Sequence, residues 1–345
     1  MDLRQLLGIQ LPIIQAPMAG VQASALAVAV SNAGGLGSLP CAMLSVDAMV
    51  KELTLLKAQT TNPFNVNFFC HTPPVPNPER EANWRAALAP YYQEFGIDAA
   101  SIPAGPGREP FTAEAADVLG EFKPAVVSFH FGLPPAALLA RVKAWGAKIL
   151  SSATTVDEAR WLEAHGVDAI IAQGLEAGGH RGIFLSEDLT TQVGTFALVP
   201  QIVRAVNVPV IAAGGIADAK GVAAAMALGA AGAQIGTAFL LCPEATTTAL
   251  HRAALKSNAA RHTVLTNLFT GRPSRCIINR FLRERGPLNA AVPAFPLATS
   301  AIAPVRAKAE SMGSADFSPI WSGQNASGCR EIPAAQLTRE LAAAV

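Results

Sequence analysis
The chain has 345 residues, 51% of them hydrophobic and 15% charged, with 26 basic against 25 acidic side chains and a net charge of +1. That is enough apolar sequence to bury a large core, and it excludes a disordered chain, in which low hydrophobicity and high charge prevent burial. The charge balance leaves no dominant basic patch, which argues against nucleic acid or an anionic membrane surface as a partner.

Along the chain, the opening Met1-Asp2-Leu3-Arg4 lacks the basic segment, apolar run and small-residue cleavage site of a signal peptide, so a cytoplasmic location is expected. Residues 6–46 carry no charge, but Pro12, Pro17, Gly20, Gly34, Gly35 and Pro40 interrupt them, and no membrane span is expected there. Short β-branched runs then alternate with Ala-rich helical stretches. Strands are predicted at 12–18, 35–40, 64–69, 125–131, 148–153, 168–174, 209–215 and 232–240. Several are apolar throughout, as in Val208-Pro209-Val210-Ile211-Ala212-Ala213, the pattern of parallel strands buried on both faces. Helices are predicted at 155–165, with Asp157 and Glu158 in the first turn, and at 218–228, with Asp218 as N-cap and Gly229 as the stop. Eight such units point to an α/β fold, a TIM-type (β/α)8 barrel; strand counting alone leaves an open doubly wound sheet as the alternative.

Two regions break the repeat. Residues 73–120 are too long for one crossover and hold an extended Pro73-Pro74-Val75-Pro76 followed by a helix over 79–95. Residues 243–312 gather eight basic residues, from Arg252 to Arg285, and show no strong strand pattern. The expected organisation is a barrel over 1–242, a mostly helical addition over the barrel mouth at 243–312, and a segment at 313–345 that returns to the barrel. The five cysteines, Cys41, Cys70, Cys242, Cys276 and Cys329, include no C-x-x-C pair and read as reduced structural thiols, with no metal site.

In a (β/α)8 barrel the strand ends share one face and carry the chemistry. Read in order, they offer Met18, Pro40, Asn67, His130, Ala153, Gln173, Gly214-Gly215 and Gly236-Thr237. Ala213-Gly214-Gly215-Ile216 and Gln234-Ile235-Gly236-Thr237 end the last two strands, where loops commonly bind phosphate through backbone N–H groups. A lone Gly-Gly would instead read as close strand–helix packing. No G-x-G-x-x-G opens an early helix, so a Rossmann dinucleotide site is not indicated. Gln173 can both donate and accept, which suits the edge of a flavin ring, and it leads into a Gly-rich loop that presents His180, a residue whose ordinary pKa of about 6.5 suits proton transfer. A surface-loop histidine is the other reading of His180. His130, in Ser128-Phe129-His130-Phe131-Gly132, points either into the barrel mouth or into the core. Glu176 is a possible base or a solvated loop residue. No strand end carries a lysine, which argues against a Schiff-base aldolase.

Five motifs in order carry a resemblance: Gln15-Ala16-Pro17-Met18-Ala19-Gly20, Asn65-Val66-Asn67, Ser128-Phe129-His130-Phe131-Gly132, Ala177-Gly178-Gly179-His180-Arg181-Gly182 and Ala213-Gly214-Gly215-Ile216. Together they resemble the nitronate monooxygenase family (formerly 2-nitropropane dioxygenases) in its class I bacterial branch, over residues 8–242 and the tail around Trp321–Gln324. The resemblance implies a TIM-barrel domain that binds FMN, with a smaller helical domain over the active site. It implies FMN contacts at Met18, Asn67, Gln173, Gly178, Gly215, Gln234, Ile235, Gly236 and Thr237. It also implies His180 as the active-site residue and His130 as a second polar group near the flavin. Arg181 is either a partner for a substrate carboxylate or an outward, solvated arginine. The implied reaction is oxidation of alkyl nitronates such as propionate 3-nitronate by O2 to carbonyl compounds and nitrite, by a monomer or homodimer. Asp218-Ala219-Lys220-Gly221 departs from relatives that carry Gly and Arg at its middle positions. The alternatives are an FMN- and NAD(P)H-dependent reductase of quinones or enoyl thioesters on the same barrel, a flavin-free sugar-phosphate barrel, and a non-catalytic flavin-binding protein.

Overall fold
The computed structural model describes residues 2–102 and 108–345. Residue 1, in the segment read as lacking a leader, and residues 103–107, within the long 73–120 connection, lie outside the described residues.

Eight parallel strands form one sheet: β1 (Ile13–Gln15), β2 (Gly37–Pro40), β3 (Phe64–Phe69), β4 (Val126–His130), β5 (Lys148–Ala153), β6 (Ala169–Gln173), β8 (Val210–Ala213) and β9 (Gly232–Ile235). β7 (Gly179–His180) interrupts the count and belongs to a second sheet. The order β1-β9-β8-β6-β5-β4-β3-β2 closes on itself through a parallel bridge between Ile14 and Leu36. There Gln15 N donates to Leu36 O at 3.0 Å and Leu36 N to Ile13 O at 2.9 Å. Closure excludes the open doubly wound alternative and fixes a (β/α)8 barrel. Every residue of β2, β3, β6 and β8 is buried, as parallel strands covered on both faces require. The predicted strands are longer than the observed ones mainly at their C-terminal ends, where the backbone turns to form loops. Residues 236–240, predicted to continue the last strand, instead enter a 3-10 turn at Thr237–Leu241.

Local sequence sets the helix boundaries. Thr155 accepts from Glu158 N and Asp218 from Gly221 N, and the helices Val156–Ala164 and Ala219–Ala227 begin just after these caps. Helix Pro78–Phe95 starts with Asn77 as cap and Pro in its first turn and ends on Gly96 in the left-handed conformation, φ +62°.

The addition is not wholly helical. Strands β10 (Thr263–Thr266) and β11 (Ser274–Ile277) form an antiparallel pair that continues onto β7, with Ser274 opposite His180 and Arg275 opposite Gly179. Only four residues long and carrying Thr, Ser and Arg, these strands lack a sustained alternation. Nor is the addition confined to 243–312. Its own core joins Trp84, Leu88, Tyr91 and Tyr92 of helix Pro78–Phe95 to Phe269, Phe281, Ile302 and Phe317. The long 73–120 connection therefore feeds the second core. The final helix, Ala334–Leu341, returns to the barrel, where Leu337 and Leu341 pack with Ile13 and Ile235. Among the described residues no helix is long and apolar enough to cross a membrane, no group of His, Cys, Asp and Glu could hold a metal ion, and all five cysteines are free.

Candidate active site
The strand ends converge on a single cavity, open at its mouth. Its walls include Met18, Asn67, Ser128, His130, Gln173, Gly178, His180, Gly215, Gln234, Gly236 and Thr237, closed over by Trp321 and Gly323 of the tail and His251 of the addition. Elements more than 300 residues apart in sequence thus meet at one place, as expected at the C-terminal face of such a barrel.

At the end of β6, Gln173 spends both halves of its amide on the following loop: Oε1 accepts from Gly182 N at 2.7 Å and Nε2 donates to His180 O at 2.9 Å. The same carbonyl lies 3.2 Å from His130 Nε2. A carbonyl only accepts, so Nε2 of His130 carries the proton and Nδ1 accepts from the Ser152 hydroxyl at 3.0 Å. Burial, then the charges of Arg272 and Arg181, push the pKa of His130 down to about 3, so it is a neutral positioning group at neutral pH. The two sequence readings of His130 merge: it lines the cavity and bonds to backbone.

His180 sits on β7, its ring Nε2 2.9 Å from the hydroxyl of Thr270 in the addition. The ring centroids of Phe295 and Trp321 lie 5.5 Å from that of His180, and those of Phe69 and Phe131 lie 6.0 Å from it. Burial pushes its pKa well below the ordinary value, and the positive charges of Arg108 and Arg272 act in the same direction. A neutral imidazole is thereby kept available to accept a proton at neutral pH. Phe131 follows β4 with φ +72°, a conformation bulky residues rarely adopt, and its ring supports the Arg272 guanidinium at 4.0 Å.

Arg181 departs from both sequence readings. It is fully buried and turned back beneath the loop, donating to Gln192 Oε1 at 3.0 Å and to the carbonyls of Gly174 and Gln173 at 2.7 Å each. It therefore cannot meet a substrate carboxylate; it holds the β6–β7 loop in place. Ile235 is likewise redirected: its side chain packs in the core with Ile13 and Phe239, and only its carbonyl, which accepts from Ala16 N at 2.8 Å, is near the strand end. The Glu176 carboxylate accepts from Thr195 N and Oγ1 and so ties the loop after β6 to the helix that follows it. Glu158, read only as a first-turn acid, is buried and receives Thr154 N, Thr154 Oγ1 and Phe184 N, tying the barrel to the loop after His180.

The far end of the cavity is built from backbone. Gly214 and Gly215 have φ of +115° and +74°, and Asn325 Nδ2 donates to Gly215 O at 2.9 Å. Gly323 N donates to Thr237 Oγ1 at 2.9 Å. A Cβ on Gly178 would lie 2.5 Å from Gly323 N, so only glycine permits this approach of loop and tail. Sequence reasoning missed His251 and Arg108. His251, buried in helix Ala249–Lys256, donates Nε2–H to Trp321 O at 2.9 Å and so fixes the tail. Neither residue belongs to a motif or a barrel strand, and no signal in the sequence singles them out.

The donor set fits a flavin mononucleotide. Gln234 Oε1 is buried, lines the cavity and has no hydrogen-bond partner, an acceptor suited to a ring N–H. The glycine-rich end supplies close backbone approach for a phosphate, and among the described residues no acidic side chain lines the cavity to repel one.

Fold and cavity together define a (β/α)8-barrel protein with its site at the C-terminal ends of the strands. The family model for nitronate monooxygenase matches residues 2–344. A nitronate monooxygenase of Paraburkholderia phytofirmans is 44% identical over 97% of this chain and 92% of its own length. One of Pseudomonas aeruginosa is 43% identical over 98% and 97%. The crystal structure of a nitroalkane oxidase from Streptomyces ansochromogenes superposes with a TM-score of 0.89 at 39% identity, covering 99% of this chain and 97% of that one. FabK from Thermotoga maritima superposes with a TM-score of 0.73 at 29% identity, covering 98% and 93%. The chain belongs to the nitronate monooxygenase family and is an oxidoreductase.

Proposed function
We propose that the protein binds FMN in this cavity and oxidises alkyl nitronates with O2, leaving a carbonyl compound and nitrite. The observation that carries the reading is the joint presence of an unpartnered buried acceptor, Gln234 Oε1, and a neutral histidine, His180, in one cavity lined, among the described residues, by no acidic side chain. Bound FMN would supply the electron-transfer chemistry, which no side chain here can perform. Met18, Asn67, Gln173, Gly178, Gly215, Gln234, Gly236 and Thr237 would hold it.

A nitronate is already deprotonated at carbon, so its oxidation requires no base. His180 would take the carbon proton only from a neutral nitroalkane, and its depressed pKa keeps it in the accepting form. Thr270 fixes the ring through Nε2, and Gln173 and His130 fix its backbone through the shared carbonyl. Phe69, Phe295 and Trp321 pack around the ring.

The test uses the yellow holoenzyme under air with ethyl nitronate, assaying O2 uptake and nitrite together. Nitrite release coupled to O2 uptake is expected. A protein that consumes NADH or NADPH and releases no nitrite would instead be the reductase alternative.

A further inference from the structure
We propose that Thr270, in the turn between β10 and β11 of the addition, is a positioning residue that selects the tautomer of His180, holding the proton on Nε2 and leaving Nδ1 as the atom that meets the substrate. The inference rests on the functional reading above only for what His180 does with that atom.

The Thr270 hydroxyl has three polar neighbours: His180 Nε2 at 2.9 Å, Arg272 N at 3.4 Å and Arg272 O at 3.4 Å. A hydroxyl has one hydrogen to donate and two lone pairs with which to accept. With Nε2 protonated, all three contacts are made at once: Oγ1 accepts from Nε2–H and from Arg272 N–H, and its own hydrogen goes to Arg272 O. With Nε2 bare, the hydroxyl hydrogen must turn to the ring. Arg272 O, which accepts no other hydrogen bond among the described residues, then loses its donor. The first arrangement satisfies one more polar group. It also leaves Nδ1 unprotonated. Unlike Nδ1 of His71, which is buried without a partner, Nδ1 of His180 is open to the cavity that its ring lines.

Both ends of the contact are clamped. His180 lies opposite Ser274 in the β7–β11 pair, and Arg181 N donates to Pro273 O at 2.9 Å. Thr270 is buried, and Gly271 N donates to Asn267 O at 2.8 Å. A Cβ on Gly271 would lie 2.2 Å from Pro293 O, so the turn is pressed against the segment that carries Phe295. The ring is thereby held to one partner and one orientation, the condition for a preorganised proton acceptor. For a neutral nitroalkane, the Nδ1 lone pair forms the new N–H bond as the C–H bond breaks. The C–H electron pair stays on the substrate as the nitronate, and Nε2–H remains on Thr270. A substrate that arrives as the nitronate needs no such transfer, so Thr270 matters for one form and not for the other.

The tautomer is read without turnover, by long-range proton–nitrogen NMR of the FMN-loaded protein labelled with 15N-histidine at pH 7.5. The His180 signals are those lost in His180→Asn. The wild type and Thr270→Ser should carry the proton on Nε2. Thr270→Val, which keeps the shape and removes the hydroxyl, should shift the tautomer ratio toward Nδ1–H by about tenfold, the worth of one hydrogen bond. With neutral nitroethane, Thr270→Val should lower kcat by about tenfold with KM within about threefold, and Thr270→Ser should restore it, while ethyl nitronate turnover changes by less than about threefold in either variant. A wild type protonated on Nδ1, an unchanged ratio in Thr270→Val, equal losses on nitroethane and ethyl nitronate, or no rescue in Thr270→Ser would overturn the assignment. A wild type with the proton on Nε2 that turns over no nitroethane would leave Thr270 as the residue that sets the ring and refute the base role of His180 instead.

Discussion

His180 and Arg181 are neighbours in the chain with opposite roles, and each supports a test. Because the folded site pushes the pKa of His180 down, its neutral, proton-accepting form is already complete at neutral pH. For a neutral nitroalkane, kcat/KM should therefore be level from pH 6.5 to 8 and fall only on the acid side, where the imidazole gains its proton. A pH–rate profile still rising above pH 7 would contradict this. His180→Asn should lower nitroalkane activity by about 100-fold or more while nitronate turnover drops less than about tenfold, measured with both forms of one substrate. Arg181 holds three oxygen acceptors from a fully buried position. Arg181→Met should destabilise the protein by about 2–4 kcal/mol in urea unfolding, since those acceptors lose a charged donor. The histidine was legible in the sequence because the Gly-Gly-His loop follows a strand end. The inward turn of Arg181 was not, because a loop sequence does not reveal which residue folds back to satisfy its carbonyls.

At the scale of elements, the barrel strands were legible because short, mainly apolar runs alternate with Ala-rich helical stretches, and several of them are apolar throughout as buried parallel strands are. β3 and β5 begin and end where the residue pattern places them. The addition was harder to read. Its strands β10 and β11 are short and mixed, and they are stabilised by pairing with each other and with β7, which no local pattern encodes. Its core also borrows helix Pro78–Phe95 from a connection inside the barrel repeat, a tertiary fact. The contact of the Gly178 loop with the tail is testable at this scale. Gly178→Ala would bring a methyl group within 2.5 Å of Gly323 N and 2.6 Å of Ser322 C, both backbone. The tail must move, so the variant should lose about 1–3 kcal/mol of stability and retain less FMN on dialysis. An unchanged melting temperature and flavin content would show that the tail is not held there.

For the whole molecule, four histidines, His71, His130, His180 and His251, have pKa values pushed down, mainly by burial. A folded pKa below the unfolded value of about 6.5 means the unfolded chain binds protons first as pH falls. The stability tied to keeping these rings neutral is present above about pH 6.5 and is lost progressively below it, down toward the folded values of about 4 for His71 and His251 and about 3 for His130. The melting temperature should be level from pH 7 to 8 and fall steeply between pH 6 and 4.5. A melting temperature that holds to pH 4.5 would contradict the burial of these rings.

The most direct test of the proposed chemistry is an anaerobic absorbance titration of the flavin-loaded protein, first with NADH or NADPH and then with ethyl nitronate or propionate 3-nitronate. The expected result is a flavin spectrum indifferent to pyridine nucleotide and reduced by nitronate. Full bleaching by a pyridine nucleotide, with no response to nitronate, would contradict the assignment and make the cavity that of a reductase.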